Sequence, residues 1–206
     1  MRASLPLHNR IVAALLPVFV LCAPALAQET AGESPTVEAP APPPLTGQAK
    51  LDDLYTRLAQ STDAGEAGRI EAEIRIEWSR SGSPSMDLLL QRGTDALSIG
   101  NIPAAIEHFT ALIDHAPDFA EAYTARATAY YAAGEIGPAL ADLSHALQTD
   151  PRNFDALVTL GMLLEESDKP EKALQAYRAV QAIHPWLVDV NDAIDRLAKT
   201  LEGQEL

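Results

Sequence analysis

The chain has 206 residues, 47% of them hydrophobic, and a formal net charge of −14. Such an acidic chain repels nucleic acid and anionic lipid surfaces, so both are poor partners, and we expect no nucleic acid partner. The charge indicates either simple solubility or a preference for basic partners. The single cysteine, Cys22, lies near the N-terminus, so the rest of the chain has no disulfide and no cysteine metal ligand. We therefore expect the fold to depend on packing alone.

Residues 1–27 have the features of a secretory signal peptide. Two arginines and an apolar run ending near Ala23 precede Ala25-Leu26-Ala27, which fits a small-x-small cleavage site. The run is too short to cross a bilayer, which takes about 20 apolar residues. We predict cleavage after Ala27, no stable membrane insertion after cleavage, and a periplasmic or secreted location. An uncleaved anchor is the alternative.

Residues 28–50 form a proline- and alanine-rich segment. Five prolines stand among Ala, Glu, Gly and Thr, and no apolar periodicity provides a face that could be buried. The composition predicts a disordered, extended linker, rising about 3.1 Å per residue where it adopts polyproline II. The linker could carry a ligand motif of its own, although such motifs arise by chance in proline-rich segments.

Helical periodicity begins at residue 51. Leu51, Leu54 and Leu58 recur at helical spacing, and Ile70 and Trp78 belong to a second apolar series. Residues 51–85 are therefore predicted to form a degenerate N-terminal helical pair. The pair is expected at the start of the domain, either as a cap or as a divergent extra repeat.

A 34-residue period without insertions follows in residues 86–119, 120–153 and 154–187. Each copy has a small residue and an alanine where paired helices approach, then a large apolar residue, then a proline. The matching positions are Gly93, Ala127 and Gly161; Ala105, Ala139 and Ala173; Phe109, Leu143 and Tyr177; and Pro117, Pro151 and Pro185.

This pattern resembles the tetratricopeptide repeat family, whose 34-residue unit reads W-x2-L-G-x2-Y, then A-x3-F, then P. The third copy follows it through Gly161, Ala173 and Tyr177. Arg92 and Arg126 replace the leucine of the pattern in the first two copies, but an arginine stem can still pack while its head reaches water. The resemblance covers about half of the chain and is specific for the fold rather than the function.

The predicted fold class is all-α: an α-solenoid of tetratricopeptide-type helix-turn-helix repeats with a C-terminal capping helix. Each helix pair buries too little surface alone, so stacked neighbours supply the core. In residues 188–206, Val190, Ile194, Leu197 and Leu201 make one apolar stripe opposite a charged face. This segment is predicted to be the capping helix and tail.

We find no catalytic or metal-binding constellation in the sequence. His108 and His115 are seven positions apart, and neither H-E-x-x-H nor a G-x-S-x-G nucleophile turn occurs. Adjacent acids such as Glu165 and Glu166 point to different sides of a helix, so they are not an acid/base pair. We predict a non-enzymatic protein with no cofactor and no metal site.

One face of the first helix in each copy is not used by the repeat pattern. The family resemblance implies that this face lines a concave groove in which a peptide or helix lies. We call its residues the groove face. They are Asp87, Leu90, Gln91, Thr94 and Leu97; Glu121, Thr124, Thr128 and Tyr131; and Asp155, Val158, Met162 and Glu165.

The composition of the groove face indicates the partner. It has no Lys or Arg, so it lacks the clamp with which related modules grip a C-terminal carboxylate. Asp87, Glu121 and Asp155 form an acidic rim beside apolar residues. We predict a scaffold of the cell envelope that binds a protein or peptide with apolar anchors and basic flanks. The alternatives are a solvated face without a ligand, and a structural or assembly role through self-association.

Overall fold

The computed structural model of the protein describes residues 47–204, which form helices and no strand. The predicted signal peptide and most of the predicted linker lie outside these residues. The predicted all-α fold is confirmed. The helices are α1 Gly47–Ala59, α2 Ala64–Trp78, α3 Pro84–Ser98, α4 Ile102–His115, α5 Ala120–Ala132, α6 Ile136–Thr149, α7 Phe154–Glu166, α8 Pro170–Ile183 and α9 Val188–Gln204.

Helix boundaries follow local chemistry. Prolines stand in the first turn of α3, α4 and α8, where a missing N–H costs no helical hydrogen bond. The side chains of Asn101 and Asn153 cap α4 and α7 by accepting from Ala104 and Ala156. Helix α1 begins at Gly47, so residues 47–50, which the composition assigned to the linker, are helical. No described helix is long and apolar enough to span a bilayer.

Within each repeat, the small residue lets two helices approach closely. A Cβ on Gly93 would lie 2.3 Å from the ring of Phe109, and one on Gly161 would lie 2.4 Å from the ring of Tyr177. Ala127 is fully buried at the matching position of the second repeat. The aromatic residue on the second helix therefore occupies the space that a side chain on the first would need.

The buried apolar residues form two clusters. One runs through α3 to α7, from Leu90 through Phe109 and Leu143 to Leu163. The other joins α1 and α2 to α7, α8 and α9, and its large members include Trp78. Helix α7 contributes to both clusters, so it connects the repeat array to the N-terminal helices.

Helices α1 and α2, the N-terminal pair, do not lie where the sequence suggested. We expected them to stack on the first repeat, but they share their apolar cluster with α7, α8 and α9. Trp78 lies 4.7 Å from the ring of Phe154, centroid to centroid, at the start of α7. The 34-residue period predicts packing between helices that are neighbours in the sequence. Helices α1 and α2 precede the first copy, so the period does not predict where they pack.

Polar contacts fix the N-terminal pair to the edge where each repeat leads into the next. The hydroxyl of Tyr55 donates to Asp150 at 2.7 Å, and the ring of Trp186 donates to the carbonyl of Ser61 at 3.1 Å. Further links across the same edge join Arg75 to Asp155, Arg152 to Asp52, and His184 to Glu71.

Helix α9 closes the other end of the array. Val190, Ile194 and Leu197 are buried against the preceding helices. Arg196 donates to both carboxylate oxygens of Glu165 on α7, at 2.7 and 3.1 Å. The helix therefore covers the last repeat as the predicted capping helix should.

Candidate functional site

The groove-face residues lie on α3, α5 and α7 at spacings that align them along each helix. Their exposure differs. Leu90 and Thr124 are buried, with 6% and 4% of their surface exposed, so they belong to the packing of the repeats. Gln91, Thr94 and Met162 are exposed, and the rest are intermediate: Asp87, Leu97, Glu121, Thr128, Tyr131, Asp155, Val158 and Glu165.

The predicted acidic rim is largely engaged by the chain itself. Asp87 accepts from the backbone N–H of Ser81 at 2.7 Å and from its hydroxyl at 2.6 Å. Asp155 accepts from both terminal nitrogens of Arg75 on α2, one of them at 2.9 Å. The rim carboxylates therefore hold the segment that precedes α3, which the sequence pattern did not indicate.

Glu121 departs furthest from the expected rim. Its Oε2 is inaccessible and has no hydrogen-bond partner among the described residues. Burial, and then the nearby charge of Asp155, raise the pKa of Glu121 to about 8. At neutral pH this carboxyl is therefore largely protonated. The rim therefore carries less negative charge than its three acidic residues suggest.

The N-terminal pair adds residues that the sequence analysis missed. Arg80 follows α2 and, with Ser79, borders an open depression of about 400 Å³ over α3, whose other walls are Asp87, Leu90, Gln91, Thr94 and Asp95. Arg80 also pairs with Glu77 at 2.7 Å. The depression over α3 therefore has a cation, Arg80, at its edge, although no Lys or Arg lies on the groove face. No signal within the repeats could have revealed it, because it comes from outside the period.

At the opposite end of the groove helices, the hydroxyl of Tyr131 donates to Glu166 at 2.6 Å, which bridges α5 and α7. The hydroxyl of Tyr177 donates to Glu165 at 2.9 Å. Arg196, and to a lesser extent Tyr177, hold the pKa of Glu165 below its usual range. Glu165 is thus an ionised residue already paired within the fold.

The described residues offer no arrangement suited to catalysis by a metal. No three His, Cys, Asp or Glu side chains among them are placed to hold an ion. His184 is buried, and its Nε2 lies 3.1 Å from a carboxylate oxygen of Glu71. That contact joins the N-terminal pair to the end of α8, so we interpret it as structural.

The repeats also match known proteins. A family model described as tetratricopeptide repeat matches residues 90–141 and 124–185, which include most of each of the three predicted copies. This chain is a tetratricopeptide repeat protein. It is 28% identical over 193 residues to a tetratricopeptide repeat-containing protein of Rhizobium etli, covering 94% of this chain and 95% of that one. That likeness extends beyond the repeats to the N-terminal segment.

Other similarities cover a smaller part of the chain. The repeat protein is 30% identical over 136 residues to the small glutamine-rich tetratricopeptide repeat-containing protein 2 of Saccharomyces cerevisiae, but spans only 39% of that relative's length. Among solved structures, the first such domain of Spaghetti (RPAP3), bound to the HSP90 peptide SRMEEVD, superposes with a TM-score of 0.55 at 21% identity. The match covers 57% of this chain and 93% of that one. It shows a shared fold.

Proposed function

We propose that this tetratricopeptide repeat protein is a non-enzymatic scaffold that binds a protein or peptide segment along its groove face. The observation that carries the proposal is the set of apolar side chains left accessible there. Met162 is 39% exposed on α7, and Leu97 on α3 and Tyr131 on α5 are partly exposed. Apolar anchors of this kind supply most of the affinity in protein interfaces.

The peptide-bound neighbour supports this use of the fold, but the chemistry of the partner differs. The groove face of this chain carries no Lys or Arg to hold a C-terminal carboxylate. Two rim carboxylates are bound internally and Glu121 is largely neutral, so anionic attraction along the rim is weaker than the sequence suggests. We therefore propose a partner with two or three apolar anchors, in which basic flanks contribute mainly to the rate of association.

The proposed site of action is the cell envelope. The support is the order of features in residues 1–27: positively charged residues, then an apolar run, then a small-x-small site. This order is typical of a secretory signal. N-terminal sequencing of the protein recovered from periplasmic or culture fractions tests this. We expect a terminus at or near Gln28, and a retained Met1 in the exported pool would refute it.

The binding proposal is tested by crosslinking capture from a periplasmic extract, followed by titration of the identified partner segment. Tyr131→Ala should weaken binding by more than about 1 kcal/mol, since tyrosines at interface centres are frequent hot spots. Ile76→Ala is the matched control, because Ile76 is 52% exposed on α2, outside the groove face. Equal affinities of the two folded variants for the partner would place the binding surface elsewhere.

A further inference from the structure

The first repeat presents a face that the later repeats bury. On α5, α7 and α9, two positions per helix pack against the preceding repeat and are buried: Ala122 and Ala129, Ala156 and Leu163, and Val190 and Leu197. The matching positions on α3 are Leu88 and Asp95. Leu88 is 45% exposed and Asp95 is exposed, because the N-terminal pair docks on α7 to α9 instead. The start of the solenoid is therefore open.

Four exposed side chains form a single stripe on this open face. Leu88, Arg92 and Asp95 are spaced four and three positions apart on one side of α3, and Ile99, four positions later, is the residue that ends the helix. Ile99 is 79% exposed at the end of the helix. We call these four residues the upstream stripe: two apolar ends with a cation and an anion between them.

The two charged residues of the stripe, Arg92 and Asp95, do not stabilise the described fold through salt bridges. Arg126, which matches Arg92 in the second repeat, donates to both carboxylate oxygens of Asp142, at 2.7 and 2.8 Å. In the first repeat the position of Asp142 is occupied by His108, so Arg92 has no such carboxylate. Neither Arg92 nor Asp95 forms a salt bridge with another residue in the described range 47–204.

The order of the stripe makes it complementary to itself. If two copies of α3 pack antiparallel about a two-fold axis near Gly93, Leu88 meets Ile99 of the second copy and Arg92 meets Asp95 of the second copy. A two-fold interface repeats each of these contacts twice. Parallel packing would instead place like charges together. We propose that two copies of this protein associate through the upstream stripe, with their α3 helices antiparallel.

The same geometry bounds the strength of the association. A standard interface uses about 20–30 residues a side, and a stripe on one helix provides far fewer. The net charge of −14 also makes the copies repel each other. We therefore expect a weak, concentration-dependent dimer with a Kd on the order of 10–100 µM. The stripe contains none of the groove-face residues, but Asp95 also borders the depression over α3, so the partner site and the dimer contact are neighbours at the first repeat.

Sedimentation equilibrium of the protein as isolated from cells, at protein concentrations from about 5 µM to about 500 µM, tests the proposal. We expect a reversible monomer–dimer equilibrium in wild type. Arg92→Glu places like charges opposite each other twice in the dimer and should raise the Kd at least about tenfold. Asp95→Arg should do the same. The double variant Arg92→Glu with Asp95→Arg restores both pairs in exchanged positions and should return the Kd to near its wild-type value.

Val188→Glu is the matched control, since Val188 is 68% exposed at the start of α9, away from the stripe, and should leave the dimer intact. All substituted positions are exposed, and circular dichroism melts verify that each variant is folded. A wild-type chain that stays monomeric throughout would overturn the proposal. If the Kd of the double variant is as high as the Kd of the single variants, the antiparallel register is refuted. The Tyr131→Ala titration reports on the groove separately, so either proposal can fail alone.

Discussion

The repeat array and the N-terminal pair are both helical, but they are held in place by different kinds of contact. Each repeat packs on its sequence neighbours, so its partners can be read from the 34-residue period. The N-terminal pair is bound by hydrogen bonds to residues 80, 95 and 125 positions away. A period predicts nearest-neighbour packing, but it contains no information about where a segment outside it docks.

The two regions also differ in chemistry. The array relies on small residues set against aromatic rings, as at Gly161 and Tyr177. The N-terminal pair relies on a chain of aromatic and polar contacts. Trp78 packs on Phe154, its ring nitrogen donates to the Tyr55 hydroxyl at 3.0 Å, and that hydroxyl donates to Asp150. Substitutions in the two regions should therefore differ in cost and in pH dependence.

The largest effect should come from Trp78→Ala, which removes the main anchor of the N-terminal pair. Trp78 is 6% exposed, and truncating a buried Trp costs about 3–5 kcal/mol of unfolding free energy. Trp186→Ala is the comparison: Trp186 also contacts the pair, through the carbonyl of Ser61, but it is 38% exposed, so its truncation should cost less. Urea denaturation measures both. Equal costs would mean that the pair is not anchored through Trp78.

Gly161→Ala tests the array in the same way. Its new Cβ would meet the Tyr177 ring at 2.4 Å, so the helices must separate, at a cost of about 1–3 kcal/mol. Gly68→Ala is the control, because a Cβ on Gly68 of α2 meets nothing within 4 Å. That change should stabilise α2 by about 0.5–1 kcal/mol through helix propensity. If the melting temperatures of both variants shift in the same direction, the close approach of α7 and α8 at Gly161 is contradicted.

The pH dependence of the unfolding free energy tests the burial of Glu121. Because the pKa of Glu121 is raised to about 8 in the folded state, from an ordinary value of 4.5, the folded protein binds a proton that the unfolded chain releases. Stability from this group is present below pH 4.5 and is lost as the pH rises towards 8. The loss is at most about 1.4 kcal/mol per pH unit.

Glu121→Gln should remove most of this decline, since Gln keeps the shape without a charge to bury. Chemical denaturation at several pH values between 5 and 8 measures the slope, with unsubstituted protein as the reference. A wild-type stability that is flat or rises across this window, with an unchanged slope in the variant, would show that Glu121 is solvated in the folded protein.

The smallest effect should come from Arg75→Ala, which cuts the link between α2 and Asp155. The Arg75 side chain is 48% exposed, so solvent screens the pair and we expect a loss of only about 1 kcal/mol. Arg69→Ala is the control, because Arg69 is exposed on the same helix and forms no salt bridge within residues 47–204. A loss no larger than that of the control would mean that apolar contacts alone hold the pair.

The fold was predictable where its determinants are local. The glycines, alanines and prolines of each repeat report a close approach or a helix start within 34 residues, and the apolar stripe of α9 is visible in its own sequence. The position of the N-terminal pair was not predictable. Its amphipathic pattern predicts that Ile70 and Trp78 are buried, but it does not predict that Phe154 packs against Trp78.

The groove face was predictable as a set of aligned positions but not in its electrostatics. The identity of Asp155 is given by the sequence, whereas its pairing with Arg75 depends on a contact 80 positions away. The neutral state of Glu121 likewise depends on its burial in the folded chain and on the nearby charge of Asp155. Whether the groove face binds a partner stays a prediction, because side-chain identity alone does not determine which charges remain free.

The docking of the N-terminal pair also has a consequence for synthesis. This pair leaves the ribosome before α7, α8 and α9, which supply its packing surface, have been made. Its apolar side chains, including Leu54, Ile74 and Trp78, must stay unpaired until most of the repeats have emerged. Contacts of such high sequence separation form late, because the intervening loop must be closed first. A growing chain of this design therefore needs its last-made helices to cover apolar side chains that were made early.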